Sequence, residues 1–255
     1  MQKKYFSNKP LTDWGEKERI ENVRYIFNHI VPQYDLMNHI LTAGLDIRWR
    51  KFTAKRMTPE AEKILDVATG TGDLAIAFAR RAQEAQVCGL DFSRRMMEEG
   101  VRKVNKRRLN SQITFFEGNA RALPYQDGSF DAAAAAFGLR NIPDKNQVLR
   151  EMRRVVKPGG KVLILEMTFP RNLKLRKFFL WYFKNVIPRL GRILAGNQAA
   201  YQYLPDSIQD FLRPEELTKL FKEAGLENIR EFSMAGGITY LHEGTVPGVT
   251  AIYDI

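Results

Sequence analysis

The sequence predicts an α/β chain built on a doubly wound, seven-stranded, mostly parallel sheet whose last strand runs antiparallel. Three observations carry that expectation. Short apolar runs alternate with amphipathic helical stretches between Lys63 and Glu166, the pattern of a parallel sheet covered by helices on both faces. A Gly-x-Gly turn, Gly70-Thr71-Gly72, follows the first run and opens a helix. Near the end, two strand-like runs are joined only around Ala235-Gly236-Gly237. A parallel crossover needs about a dozen residues, so this pair must be antiparallel.

Residues 1–60 read as helical, punctuated by Pro32 and Pro59, with Trp14, Tyr25, Phe27, Tyr34 and Trp49 as apolar mass. They are expected to form a lid belonging to the same domain, with the core at 61–255. Strands are expected at Lys63–Ala68, Gln86–Asp91, Ile113–Glu117 and Phe130–Ala136, with helices near Asp73–Ala82 and Ser93–Arg108. The fourth strand contains five consecutive alanines and so needs small side chains. Asp144, with Gln147 three residues on, has the spacing of a capping box. In the helix that follows, Val148, Leu149, Met152, Val155 and Val156 fall on one face, and Lys157-Pro158-Gly159-Gly160 should stop it. A fifth strand is expected at Lys161–Glu166. Residues 167–212 interrupt the alternation as a helical insertion. Pro214 then opens a helix that turns Leu217, Leu220, Phe221 and Ala224 inward and closes at Gly225. The last strands are expected at Asn228–Met234 and Ile238–His242.

Composition bounds the function. The chain has 255 residues, 44% hydrophobic and 27% charged, which is globular and not a mainly disordered composition. One cysteine, Cys88, excludes an intrachain disulfide and a cysteine-built metal site; no metal is expected. The longest aromatic-apolar run, Phe178–Phe183, is far short of the roughly 20 residues of a membrane span. The start lacks the apolar stretch of a signal peptide, so a cytoplasmic location is expected. The formal charge of +11 is the anomaly, compatible with nucleic acid, an anionic membrane or mere solubility.

The strongest local signal is Asp66-Val-Ala-Thr-Gly70-Thr71-Gly72-Asp73. Glycines let a backbone approach a ligand, and a helix N-terminus favours anionic groups. Asp91 ends the second strand 19 residues past Gly72, the expected distance for an acid that binds ribose hydroxyls. Phe92 directly follows it. The glycine pattern also fits a dinucleotide. Asp66 argues otherwise, because an acid before the turn suits a ligand with a cationic amine, as S-adenosylmethionine has. Asn119 and Ala120, after the third strand, suit an adenine edge and the space its ring requires.

With these residues in place the chain resembles the class I S-adenosylmethionine-dependent methyltransferases, a Rossmann-like fold. More closely, it is similar to the ubiquinone/menaquinone-biosynthesis C-methyltransferase family. The likeness rests on Tyr34-Asp-Leu-Met-Asn38, Asp66–Asp73, Phe137-Gly-Leu-Arg-Asn141 and Arg154–Glu166, and runs from about Tyr25 to His242. The resemblance implies that Thr71, Asp91, Asn119 and Ala120 contact the cofactor. Departures are Thr42, Asp46 and Thr168 at positions usually Ser, His and Ser, and Ala136 where a cofactor-contacting Ser is common. Residues 243–255 extend past the usual ending.

Such enzymes methylate a ring carbon of a polyprenylated hydroquinone. The acceptor expected here is demethylmenaquinol, with 2-methoxy-6-polyprenyl-1,4-benzoquinol or both as the alternative. The ring must be made nucleophilic by removing or polarising a phenolic proton. Arg140 and Asn141 follow the fourth strand, at the end where ligands bind. A protonated guanidinium suits phenolate stabilisation or the orienting of a water, not proton abstraction. His242 is the titrating candidate for a base. Tyr34 and Asn38 are expected to touch the substrate.

Between Glu166 and Asp206 stand seven basic residues, Arg171 to Arg192, and no acidic one. Leu175, Phe178, Phe179, Tyr182 and Val186 form an apolar stripe; Lys174, Lys177, Trp181 and Lys184 share another face; Pro188 should end or kink the helix. Residues 171–192 thus read as a basic amphipathic helix for an anionic membrane surface, placing the chain at the periphery of the inner face of the cytoplasmic membrane. A second basic block, Arg94–Arg108, reads as a solvated helix face. Nucleic acid is not expected as a partner, since no stacking array is visible. An RNA methyltransferase and a non-catalytic scaffold are the competing classes. A homodimer stays open.

Overall fold

The computed structural model describes residues 11–58, 60–186 and 198–248. In chain order these form α1 (Glu16–Leu41), α2 (Leu45–Lys55), β1 (Lys63–Val67), α3 (Asp73–Arg81), β2 (Gln86–Asp91), α4 (Arg94–Lys106), β3 (Ile113–Glu117), β4 (Phe130–Ala136), α5 (Lys145–Val155) and β5 (Val156–Met167). Then follow α6 (Leu173–Asn185), α7 (Gln198–Gln209), α8 (Pro214–Glu223), β6 (Glu227–Met234) and β7 (Thr239–Thr245). One sheet has the order β3-β2-β1-β4-β5-β7-β6. The pairs among β1 to β5 are parallel. β7 runs antiparallel to both β5 and β6; for the β6–β7 pair the short link, four residues from Ala235 to Ile238, required it.

Residue alternation divides the core between the two sheet faces. Leu65, Val67, Ala133, Ala135, Val162 and Ile164 join Val148, Leu149, Met152, Leu217 and Phe221 on the α5–α8 side. Ile64, Ala132, Ala134, Leu163 and Leu165 join Trp49, Leu74 and Phe78 on the α2–α3 side. The alanine run thus sits mid-sheet with both faces covered. Each large apolar side chain fully buried here contributes about 1.5–3 kcal/mol.

Several expectations are refined. α1 runs unbroken through Pro32; Val23, Ile26, Val31 and Met37 are buried on either side of it, and that packing outweighs one absent backbone donor. Asp144 caps α5 by accepting from the Gln147 amide, but the Gln147 side chain reaches the Arg121 carbonyl instead of returning to the cap. The helix ends at Val155, and Lys157–Gly160 enters β5, with Gly159 at φ +79°. β7 extends to Thr245 because Glu243 is paired with Arg56 and Lys161 and Gly244 lies against Phe221. Pro59, Pro188, Arg189, Arg192 and the final residues of the chain lie outside the described residues.

In α6, Phe179, Tyr182 and Phe183 turn inward against Met37, Leu41 and Ile208. Phe178 does not join that stripe. It is 59% exposed and stacks on Trp181, itself 54% exposed.

Candidate active site

The carboxyl ends of β1, β2, β3 and β4 surround a cavity of about 420 Å³, within the size range of small-molecule sites. It lies where the strand order reverses between β1 and β4, the switch point at which open α/β sheets bind ligands. α1 supplies the opposite wall through Val23, Arg24, Phe27 and Tyr34. Two strained residues shape the rim: Ala68 and Phe137, just past β1 and β4, have φ of +54° and +59°. Such conformations persist where the surroundings over-determine them. Here Gly138 packs so closely on Ala68 that a Cβ on it would lie 2.7 Å from the Ala68 Cβ.

Asp66, Gly70, Thr71, Asp91, Phe92, Asn119, Ala120, Tyr34 and Asn141 all line this cavity. Asp66 Oδ2 accepts from the Thr69 hydroxyl (2.6 Å) and the Ala75 amide (3.0 Å). Its Oδ1 is buried and meets no donor among the described residues. Burial, only partly offset by those bonds and by Arg50, pushes the carboxyl up to about 7. Asp91 accepts from the Gly70 and Ser93 amides, both at 2.8 Å, and burial lifts it to about 6. The Asn119 carbonyl oxygen is used by the Arg121 amide, so its NH₂ is what it can offer a ligand.

Gly72 does not line the cavity. Its φ is +78°, and a Cβ there would meet the Phe115 ring at 2.8 Å, so this glycine serves the turn and the packing beneath it. Thr71 is engaged from behind: its hydroxyl donates to Asp35 Oδ1 at 2.5 Å and accepts from Lys103 Nζ at 3.0 Å. Lys103 also pairs with Asp35 and with Asp73, tying α1 and α4 to the glycine loop. Burial opposes ionisation of Asp73, yet Lys103 and Arg50 hold its carboxyl below the usual range. Asp46 accepts from Arg50, His39 and Thr42. His39, Asp46 and Asp73 therefore converge with lysine and arginine already supplying the counter-charge.

A second cavity, about 50 Å³, shares Phe27 and Tyr34 with the first and is capped by Arg140, Asn38 and Tyr203. Its other walls are apolar apart from Gln33, and include Ile26, Ile30, Met37 and Leu204. Arg140 and Asn141 occupy a short 3-10 turn after β4. The Arg140 Nη1 donates to Glu166 Oε1 (2.5 Å) and to the Phe137 carbonyl (2.7 Å). Burial opposes the guanidinium charge, but Glu166 first, then Tyr34 and Tyr203, hold it firmly protonated. The Asn141 carbonyl oxygen accepts from the Tyr203 hydroxyl at 2.8 Å. Burial keeps the Tyr34 hydroxyl above its usual range against the pull of Arg140.

His242 lies elsewhere. β7 is antiparallel and pairs His242 with Ile164, two residues short of Glu166. Its ring faces α8, with Nε2 3.0 Å from the Pro214 carbonyl and Phe221 alongside. It is 1% exposed, and burial lowers its basicity. The structure does not bring it to either cavity, so the reading of His242 as a base is replaced by one of packing.

Sequence reasoning missed Arg24, Phe27, Arg50, Lys103 and Glu166. Glu166 alone carried a legible signal, since it closes the apolar run from Lys161 as Asp91 closes the run from Gln86.

The family described as the ubiE/COQ5 methyltransferase family matches residues 14–246. The ubiquinone/menaquinone biosynthesis C-methyltransferase UbiE of Geotalea uraniireducens is 38% identical over 236 residues, covering 92% of this chain and 98% of that protein. The demethylmenaquinone methyltransferase of Bacillus subtilis is 41% identical over 226 residues, covering 88% and 97%. A crystal structure of a SAM-dependent methyltransferase from Thermotoga maritima superposes with a TM-score of 0.59 at 20% identity, covering 87% of this chain and 99% of that one. That likeness is one of fold.

Proposed function

The chain belongs to the ubiE/COQ5 methyltransferase family and is an S-adenosylmethionine-dependent C-methyltransferase, and from that premise we propose that its acceptor is demethylmenaquinol, methylated at a ring carbon. One observation carries the reading on the structural side: a large cavity holding a carboxylate with one oxygen unpartnered among the described residues adjoins, across Phe27 and Tyr34, a small, mostly apolar cavity capped by a buried arginine. The choice of a naphthoquinol is supported by the names of relatives such as those of Bacillus subtilis and Oceanobacillus iheyensis, both 41% identical.

The large cavity fits the cofactor. The free Oδ1 of Asp66 suits an ammonium, Asp91 a ribose diol, and Asn119 with Ala120 an adenine. S-adenosylmethionine supplies, when bound, a methyl group already electrophilic. The remaining task falls on the acceptor hydroxyl. Arg140 stays charged and stabilises the phenolate. Tyr34, kept protonated by burial and bonded to Asn38, acts as a donor and not as a base. Tyr203 holds the Asn141 amide in orientation. The small cavity has room for only one or two waters, at about 30 Å³ of liquid volume each. The ring therefore enters when α1 and α7 part, which makes α1 a lid.

The test is methyl transfer by purified protein from labelled cofactor to either quinol. Transfer to demethylmenaquinol is expected to be the faster. Faster transfer to 2-methoxy-6-polyprenyl-1,4-benzoquinol would overturn the assignment.

We also propose that α6 carries the enzyme to the membrane that holds its substrate. Leu173, Phe178, Leu180 and Trp181 are exposed beside Lys174, Arg176 and Lys177. Each CH₂ of a prenyl tail adds about 0.8 kcal/mol of membrane residence, and each Lys or Arg near an anionic leaflet adds about 1 kcal/mol. Among the described residues no helix is long and apolar enough to cross a membrane. In co-sedimentation, binding to phosphatidylglycerol vesicles should exceed binding to phosphatidylcholine vesicles, weaken with salt and fall in a Phe178→Ser/Trp181→Ser variant. Equal binding to both vesicle types, or to neither, would count against it.

A further inference from the structure

We propose that Glu166 is the positioning residue of Arg140, holding the guanidinium so that its Nε and Nη2 edge is the one offered to the small cavity. This rests on the reading of Arg140 given above.

Glu166 lies one residue past the last parallel pair of β4 and β5, Ala136↔Leu165, which sets it level with Phe137 at the carboxyl ends of the two strands. Its carboxylate grips Arg140 twice: Oε1 accepts from Nη1 at 2.5 Å and Oε2 from the backbone amide at 3.2 Å. Oε1 also accepts from the Met167 amide at 3.0 Å, which fixes the carboxylate itself. Side-chain exposure is 7% for Arg140 and 2% for Glu166, so no solvent competes.

Nη1 is thus doubly engaged, by Glu166 and by the Phe137 carbonyl. Nε is buried and meets no acceptor among the described residues, while the same side chain lines the small cavity. A buried ion pair is a poor source of stability, because desolvation offsets most of the attraction. What this one supplies is direction. A planar fork clamped along one edge presents the other in a fixed plane. Tyr34 and Tyr203 face Arg140 from α1 and α7, and the Arg140 carbonyl accepts from Arg19. None of these can replace a carboxylate clamp.

The experiment measures kcat at saturating cofactor and quinol, per cofactor-binding site titrated by calorimetry, for Glu166→Gln, Glu166→Asp, Arg140→Met and Arg140→Met/Glu166→Gln. A misplacement of about 1 Å can cost on the order of 100-fold in rate. Glu166→Gln should lose kcat on that scale with cofactor affinity unchanged. Glu166→Asp should recover part of the loss. The double variant should be no slower than Arg140→Met. Wild-type kcat in Glu166→Gln beside a slow Arg140→Met overturns the positioning role and leaves the Arg140 reading standing. The same holds if Glu166→Gln slows the Arg140→Met enzyme as much as it slows the wild type, a comparison that needs only the two Arg140→Met proteins to fold. Wild-type kcat in Arg140→Met overturns both.

Discussion

Replacing Asp66 with asparagine should make the cofactor-free protein more stable and its cofactor binding weaker. The carboxyl is buried, one oxygen meets no donor among the described residues, and burial holds it at about 7. An unfolded aspartate titrates near 3.9, so between those values the folded state keeps a proton that the unfolded chain has lost. That contribution is complete in acid below about pH 4 and is lost as pH rises through about 7. At 1.36 kcal/mol per unit, the ionised carboxyl costs the empty protein at most about 4 kcal/mol. Asparagine can still accept from Thr69 and Ala75, and it never ionises. Scanning calorimetry should show the variant's advantage in Tm widening from pH 5 to pH 8 and amounting to several degrees. Cofactor affinity should fall on the order of 10- to 100-fold at pH 8, as a charge-assisted bond of about 1.5–3 kcal/mol is lost. In the wild type the same affinity should weaken as pH drops below 7. A Tm difference independent of pH would refute the assignment of the effect to Asp66 ionisation.

The second large effect is expected at Arg140. Arg140→Ala should lower kcat by on the order of 10²–10³, the scale for removing a donor that stabilises a developing oxyanion, with cofactor affinity unchanged. The guanidinium lines only the small cavity, whereas the cofactor residues line the large one. The alanine variant also leaves Glu166 as an unpaired buried charge, at a cost of about 3–5 kcal/mol, so it should lose stability as well as rate. The two losses separate in Arg140→Met/Glu166→Gln, which removes both charges: Tm should recover and kcat should not. Unchanged turnover in either variant would remove Arg140 from the mechanism.

The fold was legible where local pattern and tertiary packing agree. β2, β3 and β4 begin and end at the residues their apolar runs mark, because each is a short buried strand bounded by turn chemistry. Legibility failed where a distant partner decides. Lys157–Gly160 reads as a helix stop, yet Val156 pairs with Phe130 and draws the segment into β5. Glu243-Gly244-Thr245 has little strand character, but Arg56, some 190 residues earlier, fixes Glu243 in place. Phe178 shares apolarity with Phe179, and only the position of Met37 and Leu41 chooses which ring turns inward. The site follows the same rule. Asp66, Gly70, Asp91, Asn119 and Ala120 line the large cavity because the order of strands and turns places them there. Gly72 and His242 line neither cavity, because residue type alone does not fix location. The Lys103–Asp35–Asp73 cluster joins three helices through side chains alone and leaves no local trace.

The placement of β7 bears on the birth of the protein at the ribosome. The last strand in sequence is not the last in space: it lies between β5 and β6, and among the described residues β6 pairs with no other strand. A nascent chain that has emerged only as far as β6 therefore presents Val162–Leu165, wholly apolar, along an open edge with unpaired backbone groups. Such edges invite intermolecular pairing. Completion of the sheet waits on the final seven-residue strand, so the interval between synthesis of β5 and β7 is when the chain is most exposed to aggregation, and a truncation before Thr239 would make that interval permanent.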